Sequence, residues 1–387
     1  MKKHLFPLFL LLLGVNTQAQ QDFFAITGKD TQSITFNDFR AIDGINGTSG
    51  EKFFTADSSV KVFSQARKGI VAEDKNSYSN SQAVTLAALA YDASNNNLVY
   101  MPMFFSNIYV LNPKTKEITL VENNVARVSS CDINSHITRM ATGYNGKIYA
   151  VNNAGTQFLE ISRKDGKYIV NDLGIIKDDA SNGRNSFTAM ETGFGGDMVA
   201  DADNNFYIFS ASGNVFKVLT KDLKAKFIGK IAGIPDNYSV NGSAVNAQGK
   251  VVVASAKGGA LYEVDLTTLQ AKQLPGEQGL HIYDLASKYF VDDKSSAVNS
   301  FAGLDIYPTR VDEHYINVHA GNKIKGTVKL NIFDMAGKNV MTQNVSVKEG
   351  SSDEKVYLKG LVTGAYIVNI TDESGKVIFN KKILVTK

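Results

Sequence analysis

Residues 196–218 read Gly196-Asp-Met-Val-Ala-Asp-Ala-Asp-Asn-Asn-Phe-Tyr-Ile-Phe-Ser-Ala-Ser-Gly-Asn-Val-Phe-Lys-Val218, and this stretch decides the fold. Three short apolar runs are separated by turns rich in Asn, Asp, Ser and Gly. Asn and Asp tolerate the left-handed backbone conformation of tight turns, and apolar runs of this length favour strands. The stretch therefore predicts three antiparallel strands joined by short hairpins.

The same unit occurs in three further places, and in each place a fourth strand follows the third. The residues at the centre of the third strands are spaced by 50, 57 and 46 positions. A four-stranded unit that recurs about every 40–50 residues is typical of a β-propeller blade. The predicted blades lie at residues 86–122, 137–173, 196–230 and 241–274, with Tyr109, Leu159, Phe216 and Tyr262 as the central residues.

Two incomplete units flank these four blades. Residues 281–286 have the pattern of a first strand, whereas residues 23–27, 34–42 and 52–55 have the pattern of the three strands that would follow it. Pairing of the two units would complete a fifth blade and remove an open sheet edge. We therefore expect an all-β, five-bladed propeller. A strand-like piece at residues 60–63 has no place in this scheme, so six blades remain open.

The composition limits the classes of function. The 387 residues carry a net charge of +3, and removal of Lys2 and Lys3 would leave +1. Residues 301–387 contain 12 Lys and Arg against 9 Asp and Glu, or +3, so residues 20–300 carry −2. A weakly acidic domain without a basic stripe is not expected to bind nucleic acid. Cys131 is the single cysteine, so no internal disulfide can form.

The first residues have the pattern of a signal peptide. Lys2, Lys3 and His4 precede an apolar run at residues 5–15, and the chain then reaches Ala19 through a small-x-small pattern. A membrane helix needs about 20 apolar residues, which is longer than this run. We expect cleavage after Ala19 and no transmembrane span elsewhere.

The last part of the chain predicts a separate module. Residues 301–387 contain seven short alternating segments with Gly-rich turns, which fit a small immunoglobulin-like β-sandwich. The organisation expected is therefore a signal peptide at 1–19, a propeller at 20–291, a polar linker at 292–300 and a sandwich at 301–387. Three short motifs stand out in the last segment: Tyr307-Pro308, Asp334-x-x-Gly337-Lys338 and Leu361-x-x-Gly364-x-Tyr366.

This set of motifs resembles the type A C-terminal sorting domain carried by cargo of the bacterial type IX secretion system. The whole chain also resembles exported propellers of the Bacteroidetes type. Family members commonly open on Pro-Asn-Pro, whereas this chain reads Pro308-Thr-Arg310. An accessory immunoglobulin-like domain is the alternative interpretation.

The resemblance implies the route and the partners of the chain. Its partners would be the type IX secretion machinery and a sortase-like protease that removes the domain, with the cut expected in the linker at 292–300. The protein would pass through the periplasm and then be secreted or attached to anionic lipopolysaccharide at the outer-membrane surface.

One set of polar residues is a candidate ligand site. Arg139 and Asp197 each lie ten residues before a second-strand tyrosine, so they should occupy equivalent places on neighbouring blades. Asn241 and Asp284 fall near the corresponding places on the next two blades. Such a ring at the channel mouth could hold a polar ligand or a metal ion. The alternative is a structural network of ion pairs and hydrogen bonds.

The activity itself leaves two classes open. The propeller segment contains no Gly-x-Ser-x-Gly motif, no His-x-x-x-His pair and few His residues. This favours a protein that binds a glycan or protein over a hydrolase or lyase that acts on a glycan or lactone at the channel mouth. No cofactor is expected. Residues 201–205 have the spacing that opens a calcium loop, but their position between strands favours a hairpin turn.

Overall fold

The computed structural model describes residues 23–29, 35–56, 60–71, 85–276, 279–291, 304–320, 326–347 and 352–386. The signal peptide expected at 1–19 and the linker expected at 292–300 lie outside the described residues. None of the helices in the described ranges is long and apolar enough to cross a membrane.

The chain from Phe23 to Ala286 forms strands β1 to β23, which pair mainly as antiparallel neighbours in sequence. The first eleven are β1 Phe23–Lys29, β2 Thr35–Ile42, β3 Ser49–Thr55, β4 Val62–Ser64, β5 Gly69–Val71, β6 Leu86–Asp92, β7 Asn97–Pro102, β8 Ile108–Leu111, β9 Ile118–Val121, β10 Ile137–Thr142 and β11 Ile148–Asn152. The next twelve are β12 Phe158–Lys164, β13 Lys167–Gly174, β14 Lys177–Asp178, β15 Asp197–Ala200, β16 Phe206–Phe209, β17 Asn214–Leu219, β18 Lys224–Lys230, β19 Val240–Val245, β20 Val251–Ser255, β21 Tyr262–Val264, β22 Ala271–Gln273 and β23 His281–Ala286. In the described ranges of this stretch, three short helical turns lie at Ile133–Ser135, Ala180–Asn182 and Met190–Gly193.

Within the described ranges these strands form five blades. Four blades have the strand orders β6-β7-β8-β9, β10-β11-β12-β13, β15-β16-β17-β18 and β19-β20-β21-β22. The fifth has the order β23-β1-β2-β3, in which Asp284 pairs with Ile26 across the antiparallel ladder. The predicted closure by the two ends of the propeller is therefore confirmed.

The first strands of the blades form a ring around the axis. Strands β6, β10, β15, β19 and β23 contact one another in that order, and β23 also contacts β6. In the described ranges, each of these first strands therefore has a neighbouring first strand on both sides. Residues 60–63, which left a sixth blade open, contribute instead to β4, which pairs with β5 and in parallel with β9. They extend the outer edge of the first blade sheet.

Apolar side chains hold neighbouring blades together. Strand side chains alternate between two faces, so each buried blade face packs against the next blade. Between the second and third blades, Tyr149 contacts Phe206 with ring centroids 4.9 Å apart, and Phe158 contacts Phe206 at 5.8 Å. Phe158 and Phe206 are fully buried. Large aromatic residues therefore fill the space between these two blades.

The C-terminal segment forms two packed sheets. One sheet has the order β24-β26-β29 and the other has the order β25-β31-β30-β27-β28. Val328, Leu330 and Ile332 alternate inward on β27 and are at most 3% exposed. This arrangement is a β-sandwich, as the sequence predicts. The strands are β24 Leu304–Tyr307, β25 Arg310–Val311, β26 Tyr315–Ala320, β27 Gly326–Asp334, β28 Asn339–Val347, β29 Ser352–Tyr357, β30 Gly364–Thr371 and β31 Val377–Val385.

Candidate functional site at the propeller axis

The first strands bring three of the four candidate residues to one level of the axis. Strand β10 carries a bulge just before Arg139, and β23 carries one just before Asp284. Asp197 begins β15 at the corresponding place. The bulge of β19 lies just before Gly242, so Gly242 takes this place and Asn241 is the bulged residue. Asn241 is partly exposed, and its side-chain oxygen accepts a hydrogen bond from the Ala256 amide at 3.4 Å.

Arg139 is completely buried and bonded to backbone carbonyls. Its Nε donates to the Gly195 carbonyl at 2.8 Å, and its two terminal nitrogens donate to the carbonyls of Gly193 and Asn152. The guanidinium carbon also lies 5.1 Å from the centre of the Phe187 ring. Burial lowers the pKa of Arg139 to about 9, and the charge of Asp197 opposes this shift.

Asp197 is also completely buried, and backbone amides hold its carboxyl group. Oδ1 accepts a hydrogen bond from the Met198 amide at 2.7 Å, and Oδ2 accepts one from the Ser243 amide at 2.6 Å. Burial raises the pKa of Asp197 well above its ordinary value, and the amides oppose the shift only in part. The Ser243 hydroxyl lies beside this carboxyl but makes no hydrogen bond of normal geometry within the described residues.

Asp284 differs from both of these residues. It is completely buried, and neither carboxyl oxygen accepts a hydrogen bond of normal geometry within the described part of the chain. The amides of Leu89 and Leu285 lie near enough to favour the charged form slightly. Burial and the charge of Asp197 nevertheless raise the pKa of Asp284 well above its ordinary value.

The axis leaves little free space next to this cluster. Ser243, Met140, Met198 and Leu285 line a cavity of about 20 Å³ between the first strands. A cavity of this size holds about one water molecule. Arg139, Asp197 and Asp284 are therefore enclosed by the ring of first strands, and a ligand in solvent would not reach them in this arrangement.

The other polar candidates are held by local contacts. In the calcium-like loop, Oδ1 of Asp201 accepts hydrogen bonds from the amides of Asp203 and Asn205 at 3.0 and 2.8 Å. Oδ2 of Asp201 pairs with Lys217 at 2.9 Å. The loop joins the antiparallel strands β15 and β16, so it is a hairpin turn. No group of three or more His, Cys, Asp or Glu residues suited to hold a metal occurs in the described ranges.

His136 has no place in an exposed acid–base set. It is 2% exposed, and its Nε2 lies 3.0 Å from the Ser129 carbonyl. Burial lowers its pKa, and the Ser129 carbonyl and Asp132 oppose this shift. Sequence reasoning did not single out Ser243, because contact between neighbouring blades leaves no local pattern in the chain.

The sorting motifs occupy turns and core positions of the sandwich. Oδ1 of Asp334 accepts hydrogen bonds from the amides of Ala336 and Lys338, and Gly337 adopts φ +80°, so this motif closes the β27–β28 hairpin. Tyr366 is 6% exposed, and its hydroxyl donates to the Val362 carbonyl at 2.9 Å. Of the remaining motif residues, Tyr307 ends β24, Pro308 follows it and Gly364 begins β30.

The sandwich contacts the face of the propeller at which the first strands end, which we call the back face. Thr309 Oγ1 donates to the Tyr144 carbonyl, and Pro308 packs against Gly146 so closely that a Cβ there would lie 2.9 Å from the proline Cβ. Propeller and sandwich residues together line a cavity of about 60 Å³, among them Asp92, Arg163, Tyr168, Asp312, Glu313 and Tyr315.

Comparison with solved structures gives only distant likenesses. They include PorZ of Porphyromonas gingivalis, a surface component of its type IX secretion system, at 12% identity and TM-score 0.31, covering 94% of this chain and 51% of that one. The extracellular domain of a putative one-component system from Bacteroides thetaiotaomicron gives 9% identity and TM-score 0.34, with 97% and 52% coverage. Virginiamycin B lyase from Staphylococcus aureus gives 11% identity and TM-score 0.32, with 95% and 97% coverage.

The chain spans about half the length of the first two of these proteins. No curated protein matches the chain in sequence. The family model described as the secretion system C-terminal sorting domain does match, over residues 305–386. Residues 305–386 are therefore a type IX secretion sorting domain, and the protein is exported to the cell surface or the surrounding medium.

Proposed function

We propose that the protein is an exported β-propeller that binds a glycan or another protein outside the cell. The observation that carries this proposal is the enclosed axis. A hydrolase or lyase needs acid and base groups that converge on a substrate within reach of solvent. Here Arg139, Asp197 and Asp284 are all completely buried, so a substrate at the channel mouth would not contact them.

The most suitable binding surface is the front face, the side of the propeller at which the first strands begin. The sandwich contacts the back face, so the front face is the side away from that contact. Ile133 and Met190 lie in the connections that lead into neighbouring first strands β10 and β15, and their exposed fractions are 43% and 58%. Binding residues of proteins are often carried by loops on a rigid scaffold.

The sorting domain would act before the propeller binds its ligand. We infer that the type IX machinery recognises residues 305–386, and that a sortase-like protease then cuts within 292–300. The propeller would afterwards be released or attached to anionic lipopolysaccharide. A chain that ends at residue 291 should stay in the periplasm, whereas the full chain should reach the surface or medium. Cell fractionation and immunoblotting measure this difference.

Binding is tested with a panel of bacterial and host glycans and with cross-linking on intact cells. The double variant Ile133→Asp/Met190→Asp should reduce binding at least about tenfold, because charged residues at the centre of an apolar contact remove its main energy. The control is Ile70→Asp, which alters a still more exposed apolar residue (68%) on the outer strand β5. Turnover of a polysaccharide or lactone that survives the double variant would contradict the proposal and favour the hydrolase or lyase.

A further inference from the structure

The propeller and the sandwich are separately folded parts that meet on the back face. Within the described residues, each hydrophobic core cluster lies wholly in one part, and so does each sheet. Residues 292–303 join the two parts along the chain. The contact between them is therefore a surface contact, and a cut in the linker leaves both cores and all of these sheets intact.

Aromatic residues of the back face receive the beginning of the sandwich. We call the propeller side of this contact the docking site, which consists of Tyr91, Tyr144, Gly146, Lys288 and Phe290. The rings of Tyr144 and Phe290 meet edge-on, with centroids 5.1 Å apart. Pro308 of the sandwich lies against Gly146, and Thr309 is 5% exposed with its hydroxyl donating to the Tyr144 carbonyl. A proline and a hydroxyl group of the sorting domain therefore occupy the docking site.

Opposite charges also face each other across this contact. Lys288 of the propeller and Asp305 of the sandwich line one cavity of about 40 Å³. Burial raises the pKa of Asp305, but Lys381 and then Lys288 hold it below its ordinary value. In the neighbouring cavity of about 60 Å³, Arg163 lies on the propeller side and Glu313 on the sandwich side. The sandwich therefore presents carboxylates to propeller cations at two places.

The linker keeps this contact made in the uncut chain. Charges that remain accessible to solvent contribute little to a contact, and no core cluster of the described residues spans the two parts. A short linker raises the effective concentration of the two parts to about 1 mM. A contact with a Kd of about 1–100 µM is then made in most molecules, and after a cut it is lost on dilution.

We propose that the docking site is a second binding surface of the propeller, which the sorting domain keeps covered until it is removed. The inference rests on the removal proposed above, because an uncut chain keeps the site filled. The partner is a protein that presents what the sandwich presents: a proline for the aromatic residues, a hydroxyl donor for the Tyr144 carbonyl and a carboxylate for Lys288. The front face is open before the cut, whereas the back face becomes available only after it.

The test uses the full chain with a protease recognition sequence inserted within 292–300 and cut after folding. Gel filtration of a dilute sample separates the two parts, and the released sorting domain then serves as the probe. Calorimetric titration of the probe onto the propeller should give one-to-one binding with a Kd of about 1–100 µM. The uncut chain should bind no added probe, because its own sorting domain fills the site.

A Kd outside this range would overturn the proposal. A tighter contact would keep the site closed after the cut, and a weaker one would leave it open before the cut. Because the cut is made in vitro, this result does not depend on removal of the domain in the cell, which cell fractionation tests separately.

Two charge variants assign the binding to the docking site. Lys288→Glu should weaken binding of the probe at least about tenfold, because it places a carboxylate opposite Asp305. Lys257→Glu is the control, since Lys257 is an exposed lysine in the turn between β20 and β21 on the front face. Equal binding by both variants would overturn the assignment. Displacement of the probe by polygalacturonate at a lower concentration than by unlabelled sorting domain would assign the site to acidic glycans and overturn the protein partner.

Discussion

Asp284 in the propeller and Asp305 in the sandwich are two largely enclosed aspartates that behave in opposite ways. Asp305 accepts a bond from Lys381 at 3.0 Å, and the side chains of Asp305 and Lys381 are 20% and 6% exposed. Burial alone would raise the pKa of Asp305, but Lys381 and Lys288 hold it below its ordinary value. Asp284 has no such cation among the described residues, so its pKa is raised.

The comparison shows that burial does not by itself decide the charge state of a carboxyl group. The decisive factor is whether the fold places a compensating cation beside it. In the sandwich the chain supplies its own cation from β31 and another from the propeller. At the axis the chain supplies one guanidinium for two carboxylates. Replacing a cationic side chain should therefore lower the free energy of unfolding in both regions, by different amounts.

The largest effect is expected from Arg139→Met. The substitution leaves the Asp197 charge uncompensated and the Gly193, Gly195 and Asn152 carbonyls without their donor. Loss of one member of a buried charged network costs about 3–5 kcal/mol in the free energy of unfolding. Urea denaturation measures the change. Arg127→Met is the matched control, because Arg127 pairs with Asp172 while 69% exposed and should lose less than about 1 kcal/mol. Equal losses would show that the buried axial network contributes no more to stability than an exposed ion pair.

A smaller loss is expected from Lys381→Met. The variant keeps most of the apolar stem of Lys381 but leaves Asp305 with Lys288 as its remaining nearby cation. We expect about 2 kcal/mol of lost stability, since hydrogen bonds to charged groups contribute about 1.5–3 kcal/mol. The same urea measurement applies, with Lys52→Met as the control for an ion pair whose lysine is 45% exposed. A loss no greater than that of the control would contradict the role assigned to the Asp305–Lys381 pair.

The pH dependence of stability should have opposite signs in the two regions. For Asp284, the folded-state pKa lies above the unfolded value of about 3.9. The protonated Asp284 therefore adds to the free energy of unfolding at low pH. This addition is lost as the pH rises from about 4 through the folded pKa, with a slope of at most about 1.4 kcal/mol per pH unit. For Asp305, the folded-state pKa lies below about 3.9, so its contribution is lost as the pH falls through that pKa.

Two variants separate these slopes. Asp284→Asn should flatten the loss of stability above pH about 4, and Asp305→Asn should flatten the loss at lower pH. Denaturation curves over a pH series measure both. Asp197 and Arg139 face the same cluster, and the raised pKa of Asp197 adds to the slope that remains in Asp284→Asn. If Asp284→Asn changed only the acidic limb, the contrast between the two aspartates would be wrong.

The smallest effect is expected at the contact between the two regions. Thr309→Val removes the hydroxyl that donates to the Tyr144 carbonyl and keeps the shape of the side chain. A single neutral hydrogen bond contributes about 0.5–1.5 kcal/mol, and we expect the lower end because the contact lies at an interface. Thr327→Val, an exposed residue of β27, is the control. A change several times larger would show that the sandwich and propeller unfold as one unit.

The sequence predicts the blades well because their signals are local. Alternation of apolar residues and Asn- or Gly-containing turns recur in each blade, and the lone first strand at 281–286 indicates the closure. The same is true of Asp334-x-x-Gly337-Lys338, whose residues form one turn. The six-bladed alternative arose because β4 pairs in parallel with the distant strand β9, which no local pattern reveals.

The candidate site could be predicted only in part. Arg139, Asp197 and Asp284 share a place on their blades, and counting from the second strand finds the first two. Counting ten residues back from Val252, which pairs with Ala244 as Tyr149 pairs with Ala141, gives Gly242 and not Asn241. The second strand of this blade has no tyrosine at that place, so the sequence marks the axial position there only approximately. Burial of the cluster follows from the packing of five first strands around the axis. Contacts such as that between Ser243 and Asp197 depend on that packing and leave no trace in spacing.

The most direct test of the contrast between Asp284 and Asp305 is a carboxyl titration followed by NMR. The protein is labelled with ¹³C at the aspartate carboxyl groups, and Asp284→Asn and Asp305→Asn assign the two signals. We predict that the Asp284 signal titrates well above the ordinary range near pH 4 and that the Asp305 signal titrates below it. Titration of both signals near pH 4 would contradict the account.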